Sequence, residues 1–275
     1  CKKRFKTCIS MRLQNKVIIV TGSTTGIGKA IAARCVAEGA RVVINGLEEA
    51  WGKQVAEALG SDKAVLHIED LANEGAAQRL VQLAIAAYGR LDAVVNNAAI
   101  VASSNIQTTD RGFLQKLLTV NTIAPFELIK AALPYLQQQR GCVLNIGSVN
   151  AYSGEPNLLA YSMTKGALMT MTRNLGDTLF RENGVRINQV NPGWVLTETE
   201  RERKKQHGLA EDWYKDLPAV YAPAGRLLKP EEIAAAAVYW LADESGPISG
   251  QVVDLEQHPF IGRNPPKDTS TIPQK

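Results

Sequence analysis

Seven short runs along the chain are apolar and rich in β-branched residues at nearly every position rather than at every second one: KVIIVT, RVVIN, AVLHI, LDAVVN, GCVLNI, VRINQV and GQVVDL. A strand that reads this way is covered on both faces, the condition of a parallel sheet held between two layers of helices. Between the runs lie Ala-rich stretches without proline, such as GKAIAARCVAEG and GAAQRLVQLAIAAYG, whose apolar residues recur at helical spacing. Strand and helix alternate almost throughout. The alternation predicts an α/β fold, a doubly wound sheet of about seven parallel strands with helices on both faces, in a single domain spanning residues 11–255.

The rhythm breaks once, after NPGW at Asn191 and before the helix starting near Pro230. The polar and aromatic insertion there, residues 194–228, is expected to form a pair of short helices over the C-terminal edge of the sheet. Ligands bind at that edge in open α/β sheets, so the insertion is a candidate substrate lid; a packing excursion or a subunit contact is the alternative. Residues 1–10 read as a disordered or cloning-derived extension, because Met11 opens the first orderly pattern. The tail 256–275 is Pro-rich and non-helical by composition.

With 275 residues, 45% of them hydrophobic, the chain is long enough to bury one sizeable core. The net charge of +4 owes much to CKKRFK at the N-terminus. The only other dense basic run, RERKKQHG, reads as a solvated helix face, so no nucleic-acid partner is expected. Cys35 and Cys142 fall in helical and strand patterns and match neither a zinc site nor a disulfide framework. They are expected to be buried thiols in a reducing compartment, and no metal is expected. No apolar run approaches the ~20 residues of a membrane span, and none has the layout of a signal peptide. A soluble, cytoplasmic protein with no membrane partner is the expectation.

The first chemical signal is VTGSTTGIGKAIA, which joins the first strand directly to a helix. Gly22 permits the tight exit, Gly26 lets backbone approach a ligand, and Gly28 lets helix pack on sheet. Free N–H groups at such a helix start favour a pyrophosphate. A second is YSMTK: Tyr161 and Lys165, at i and i+4, share one helix face, so a phenol and an ammonium can reach one small volume. They are a candidate proton-transfer pair.

The spacing Gly22-x3-Gly26-x-Gly28 resembles the short-chain dehydrogenase/reductase family, and further motifs follow in its order. NNAA from Asn96 resembles the family's N-N-A-G, with Ala99 in place of glycine. Asn121 matches its helix asparagine, Ser148 ends LNIGS, Tyr161 and Lys165 form Y-x-x-x-K, and NPG runs from Asn191 to Gly193. The resemblance covers residues 16–255. It implies a Rossmann-type fold, hydride transfer between a nicotinamide cofactor and a secondary alcohol or ketone, and a catalytic set of Asn121, Ser148, Tyr161 and Lys165. Tyr161 would be the general acid or base, its pKa lowered by the Lys165 ammonium and the oxidised nicotinamide. Lys165 would also hold the nicotinamide ribose, Ser148 the reacting oxygen, and Asn121 a water leading from Lys165 to solvent. Singly, each residue has a plain structural alternative, such as a packed tyrosine, a surface lysine, a turn-capping serine or an asparagine serving helix backbone.

The cofactor contacts implied are Gly22, Thr24, Gly26, Ile27, Gly28, Gly46, Asp70, Leu71, Asn97, Ala98, Ala99, Tyr161, Lys165, Pro192, Gly193, Val195 and Thr197. Asp70 and Thr197 could equally be helix N-caps. Gly46 stands where an aspartate usually selects NAD, yet Leu47, Glu48 and Glu49 follow it and no cation does. NAD is therefore favoured, with NADP possible. Substrate contacts are expected from Ser148, Asn150, Asn157, Tyr161 and Trp194, with Trp213 and Tyr214 on the lid. Their amide and indole groups suit a sugar, polyol or small hydroxy acid. The rival readings are an NADPH-dependent 3-oxoacyl thioester reductase and a non-catalytic NAD(H) sensor. Partners are a small-molecule substrate and further copies of the chain, as homodimer or homotetramer. Beyond Leu255, DLEQHPF departs from the family's glycine-rich ending.

Overall fold

Each of the seven apolar runs is a strand. The computed structural model describes residues 11–152 and 154–259; the expectations for 1–10 and most of the tail lie outside the described residues. In chain order the elements are β1 (Val17–Val20), α1 (Gly26–Ala37), β2 (Arg41–Gly46), α2 (Glu49–Leu59), β3 (Ala64–Ile68), α3 (Ala76–Tyr88), β4 (Ala93–Asn96) and α4 (Arg111–Leu118). They continue with α5 (Ala124–Gln139), β5 (Cys142–Ile146), α6 (Leu159–Asn183), β6 (Arg186–Pro192), α7 (Glu198–Gln206), α8 (Pro230–Leu241) and β7 (Val252–Leu255).

The strands form one parallel sheet in the order β3-β2-β1-β4-β5-β6-β7. Successive side chains of a strand point to opposite faces, and two cores result. Ile18, Val20 and Ile44 pack with Ile31 and Cys35 of α1 and Val238 and Leu241 of α8. Val17, Ile19 and Val43 pack with Leu80 of α3 and Leu128 and Leu136 of α5. β3 and β7 are edge strands and only half covered. Because the chain leaves β1 toward β3 and later returns to β4 on the other side, a crevice opens between β1 and β4 at the strands' C-terminal ends.

Two elements differ from the sequence reading. The insertion holds one α-helix, α7, and a single 3₁₀ turn at Trp213–Lys215 rather than a pair of helices. Its base is closed by backbone hydrogen bonds between Leu196 N–H and Leu228 O (2.8 Å) and between Leu228 N–H and Trp194 O (3.1 Å). The helix expected to carry Asn121 is interrupted there by a π turn, Thr119–Ile123, between α4 and α5. Cys35 and Cys142 are buried free thiols, as expected. Among the described residues, no helix is long and apolar enough to cross a membrane. Nor does any group of His, Cys, Asp and Glu among them gather as metal ligands.

Candidate active site

The strand ends of β1, β2, β4, β5 and β6 surround one cavity of about 1010 Å³, roofed by residues of α7 and of the stretch 217–221. The glycine turn forms its floor. Gly22 has φ +59°, and a Cβ there would lie 2.8 Å from the Ala98 Cα, so only glycine passes. A Cβ on Gly28 would overlap the Gly22 carbonyl, which is why Gly28 packs behind the turn and does not line the cavity. Asn97 braces the turn by donating from Nδ2 to the carbonyls of Thr21 and Gly22, both at 2.9 Å. The first amide of α1, Gly26 N–H, donates to the Glu198 carboxylate of α7 at 3.2 Å. An anion therefore sits where a helix start attracts one.

Gly46 ends β2 with Thr24 against it: a Cβ at Gly46 would lie 2.5 Å from the Thr24 hydroxyl oxygen. An aspartate there would have to displace the Thr24 side chain. Thr24 Oγ1 instead donates to Glu48 Oε2 at 2.6 Å, which brings a carboxylate back to this end of the cavity two residues later. Asp70 lines the same end, where it accepts from Ala72 N–H at 2.9 Å; α3 begins only at Ala76, so Asp70 is not its N-cap. Ile27, Leu71, Ala98, Ala99, Pro192, Gly193 and Val195 also line the cavity. Thr197 lines it and caps α7 as well, accepting from Glu200 N–H at 3.0 Å.

Ser148, Tyr161 and Lys165 converge where β5 ends. Ser148 donates its N–H to Asn191 Oδ1 (3.1 Å), and its Oγ accepts from Asn150 N–H (3.1 Å). Tyr161 is 9% exposed and Lys165 3%. The ammonium points past the phenol, donating to the Ile146 carbonyl at 2.7 Å and lying 5.6 Å from the tyrosine ring centre. Burial therefore governs both groups. It pushes the Tyr161 phenol up to about 12, opposed by the Ser148 hydroxyl and the Arg203 charge, and pulls the Lys165 ammonium down to about 8. In the protein itself Lys165 is not among the groups that lower the tyrosine, and desolvation outweighs the neighbouring charges.

Asn121 is buried in the π turn. Its Oδ1 accepts from Ile100 N–H (2.8 Å), and Nδ2 donates to Ile100 O (3.0 Å) and to Thr164 Oγ1 (3.0 Å). Thr164 Oγ1 in turn donates to Tyr161 O at 2.7 Å. Asn121 thus clamps the loop after β4 onto the turn of α6 that carries Tyr161 through its side-chain amide.

Of the expected substrate contacts, Ser148, Asn150, Tyr161 and Trp194 line the cavity. Asn157 does not: it is exposed, and its carbonyl accepts Ser104 N–H at 2.9 Å. Trp213 stacks behind Trp194 with ring centres 5.3 Å apart, and Tyr214 packs edge-on behind Trp213, so both support the wall rather than face the cavity. Lining residues missed from sequence include Arg203, Glu200, Glu256 and His258. Arg203 is held by Glu200 through two hydrogen bonds of 2.9 and 3.0 Å, and Glu200 also accepts the Trp194 indole N–H at 2.9 Å. The i,i+3 spacing of Glu200 and Arg203 was visible in ETERER; its direction was not.

Residues 22–256 match the family described as enoyl-(acyl carrier protein) reductase. An uncharacterized oxidoreductase of Thermotoga maritima is 34% identical over 90% of this chain and 98% of its own length. The L-fucose dehydrogenase of Mus musculus is 37% identical over 85% of this chain and 84% of its own, and the NADP-dependent (R)-specific alcohol dehydrogenase of Lentilactobacillus kefiri 32% identical over 85% and 92%. With this sheet and these relatives, the chain belongs to the short-chain dehydrogenase/reductase family. It is an oxidoreductase of CH–OH groups that uses a nicotinamide cofactor.

Proposed function

We propose that the protein is an NAD-dependent dehydrogenase of a sugar or polyol, with Tyr161 as its proton-transferring group. The observation that carries the reading is the composition of one cavity: Ser148, Tyr161 and Lys165 share it with the carboxylates Glu155 and Glu256, the Asn150 amide and the Trp194 indole. Carboxylates and amides accept and donate to hydroxyl groups, and an indole covers the apolar face of a sugar ring. The likeness to L-fucose dehydrogenase supports the same class.

The residues present fit a dinucleotide. The Gly22 turn leaves room that any Cβ would fill, and the α1 start already holds an anion. Lysine or arginine side chains reach the cavity from α4, α6 and α7, whereas the residues around Gly46 bring Glu48, Glu69 and Asp70. Arg79 at that end is already paired with Glu69. A 2′-phosphate would face three carboxylates, so NAD is preferred, with Glu48 accepting from the adenosine ribose hydroxyls. When bound, the nicotinamide ring takes or gives the hydride. Lys165 donates to the ribose hydroxyls, Ser148 Oγ orients the reacting oxygen, and Tyr161 exchanges the proton with it. A phenol held near 12 is protonated at neutral pH, the state that gives a proton to a ketone; oxidation gains as pH rises. The segment 194–228 acts as a lid on this cavity. The exposed Ile123, Phe126 and Met163 on the outer helical surface support assembly with further copies of the chain.

Oxidation of a panel of sugars, polyols, hydroxy acids and simple secondary alcohols, with 3-oxoacyl thioester reduction in parallel and each nicotinamide cofactor in turn, tests the reading. Turnover of sugars or polyols with NAD, lost in Tyr161→Phe, is expected. Reduction of the thioester alone, with NADPH, would replace it by the acyl reductase reading.

A further inference from the structure

Beyond β7 the backbone is fixed by its own side chains. Glu256 Oε2 accepts Trp194 N–H at 3.1 Å, and Oε1 accepts Gln257 N–H at 2.7 Å. The Gln257 amide accepts Ala224 N–H at 2.9 Å and donates to Arg226 O at 2.7 Å. These bonds hold the segment against the start and the end of the 194–228 insertion, and they place the next residue, His258, in the wall of the cavity that also holds Tyr161, Trp194 and Tyr221. The His258 Nδ1 is buried and has no hydrogen-bond partner.

We propose that His258 is a specificity-determining residue whose Nε2–H donates to a substrate oxygen other than the one that reacts. This rests on the reading of the cavity as a site for a polyhydroxylated substrate. A neutral imidazole carries one N–H, and an orphaned buried donor is rarer in proteins than an orphaned acceptor. The buried, unpartnered Nδ1 favours the tautomer with its proton on Nε2. The anchoring bonds of Glu256 and Gln257 fix the backbone from which the His258 side chain leaves. A site that offers a hydrogen bond to a particular hydroxyl rejects the analogue that lacks it.

The test compares the best substrate of the panel with analogues from which each non-reacting oxygen is removed in turn. kcat/KM is measured for the native protein, His258→Ala and His258→Gln, alongside NADH binding by fluorescence. One deoxy analogue is expected to lose about tenfold with the native protein, the scale of a single hydrogen bond. For the parent substrate, His258→Ala should lose the same factor, through KM, while that one analogue is unaffected; His258→Gln, which places an N–H near the Nε2 position, should recover most of it. NADH affinity should not change. Equal losses on parent and analogue, or no loss on either, would overturn the assignment. If no sugar or polyol is oxidised, the functional reading fails by itself, and the same comparison on whichever oxygen-bearing substrate remains still decides the role of His258.

Discussion

Replacing Lys165 by methionine should abolish turnover and yet stabilise the protein at neutral pH. The lysine is buried, and its pKa falls from 10.5 to about 8 because burial disfavours the charge. Between those values the unfolded chain binds the proton and the folded one releases it, so native stability climbs as pH rises through this window. Linkage puts the cost of the buried ammonium at about 3 kcal/mol at pH 7 and about 1 kcal/mol at pH 9.5. Methionine fills a similar volume without charge, but it strips the Ile146 carbonyl of a charged donor at 2.7 Å, a loss of about 1–3 kcal/mol. The variant should therefore be more stable by up to about 2 kcal/mol at pH 7, at roughly 2–4 °C per kcal/mol in melting temperature. That advantage should vanish or reverse by pH 9.5. Tyr161, held near 12, stays protonated across this range and leaves the comparison clean. Thermal or urea unfolding at both pH values, at fixed protein concentration, measures the gap. A gap independent of pH, or a variant less stable already at pH 7, would refute the claim that burial governs this lysine.

Two further substitutions separate the parts of the site. Glu198→Gln removes the carboxylate that occupies Gly26 N–H, so NADH should bind about 2–5-fold tighter, the scale of a single charge at a helix start; fluorescence titration showing equal or weaker binding would contradict competition at this position. Arg203→Met removes a positive charge that favours the phenolate and leaves Glu200, which opposes it, with only the Trp194 indole N–H and the more distant Lys204. The alkaline rise of the oxidation rate should move up by about half a pH unit or more, and a pH profile unchanged in position would exclude electrostatic contact between α7 and Tyr161.

How much of this was legible in advance depends on whether the signal was local. The inner strands could be read because a parallel strand covered on both sides is apolar throughout, the half-covered β3 and β7 because they keep short β-branched runs, and the glycine turn because Gly22 and Gly28 have no substitute. Tyr161 and Lys165 were legible as a pair through helical periodicity, but not the direction of the Lys165 side chain, which depends on a carbonyl in β5, nor the rise of the tyrosine pKa, which depends on how much protein closes over it. The π turn at Asn121 had a faint local mark. Pro125, four residues on, has no N–H for the Asn121 carbonyl, so the ordinary ladder cannot run through that position. Glu256 and His258 belong to a segment whose departure from the family's ending removed the template, and only the fold brings that segment beside Trp194.

The polar residues inside strands carry a related signal, since an apolar run that ends in amides is unusual unless each amide is matched. Asn96 Nδ2 donates to Asn145 Oδ1 (2.8 Å), Asn145 Nδ2 to Thr172 Oγ1 (2.8 Å), and that hydroxyl to Gln189 Oε1 (2.8 Å). Gln189 Nε2 donates to Asn191 Oδ1 (2.7 Å), which also takes the Ser148 N–H, while Asn191 Nδ2 reaches Asp254 Oδ1 (3.0 Å). The chain crosses β4, β5, β6 and β7 near their C-terminal ends and terminates on the backbone of Ser148. A fully satisfied network in a low-dielectric interior has few alternative arrangements, whereas a partly satisfied one is costly. It therefore fixes the exit of β5 more firmly than an apolar contact of the same size would, because sliding one strand breaks several bonds at once. The amides in VVNN, VLNI and INQVNP are thus part of what holds Ser148 opposite Tyr161, and their place at the strand ends is the trace that this requirement leaves in the sequence.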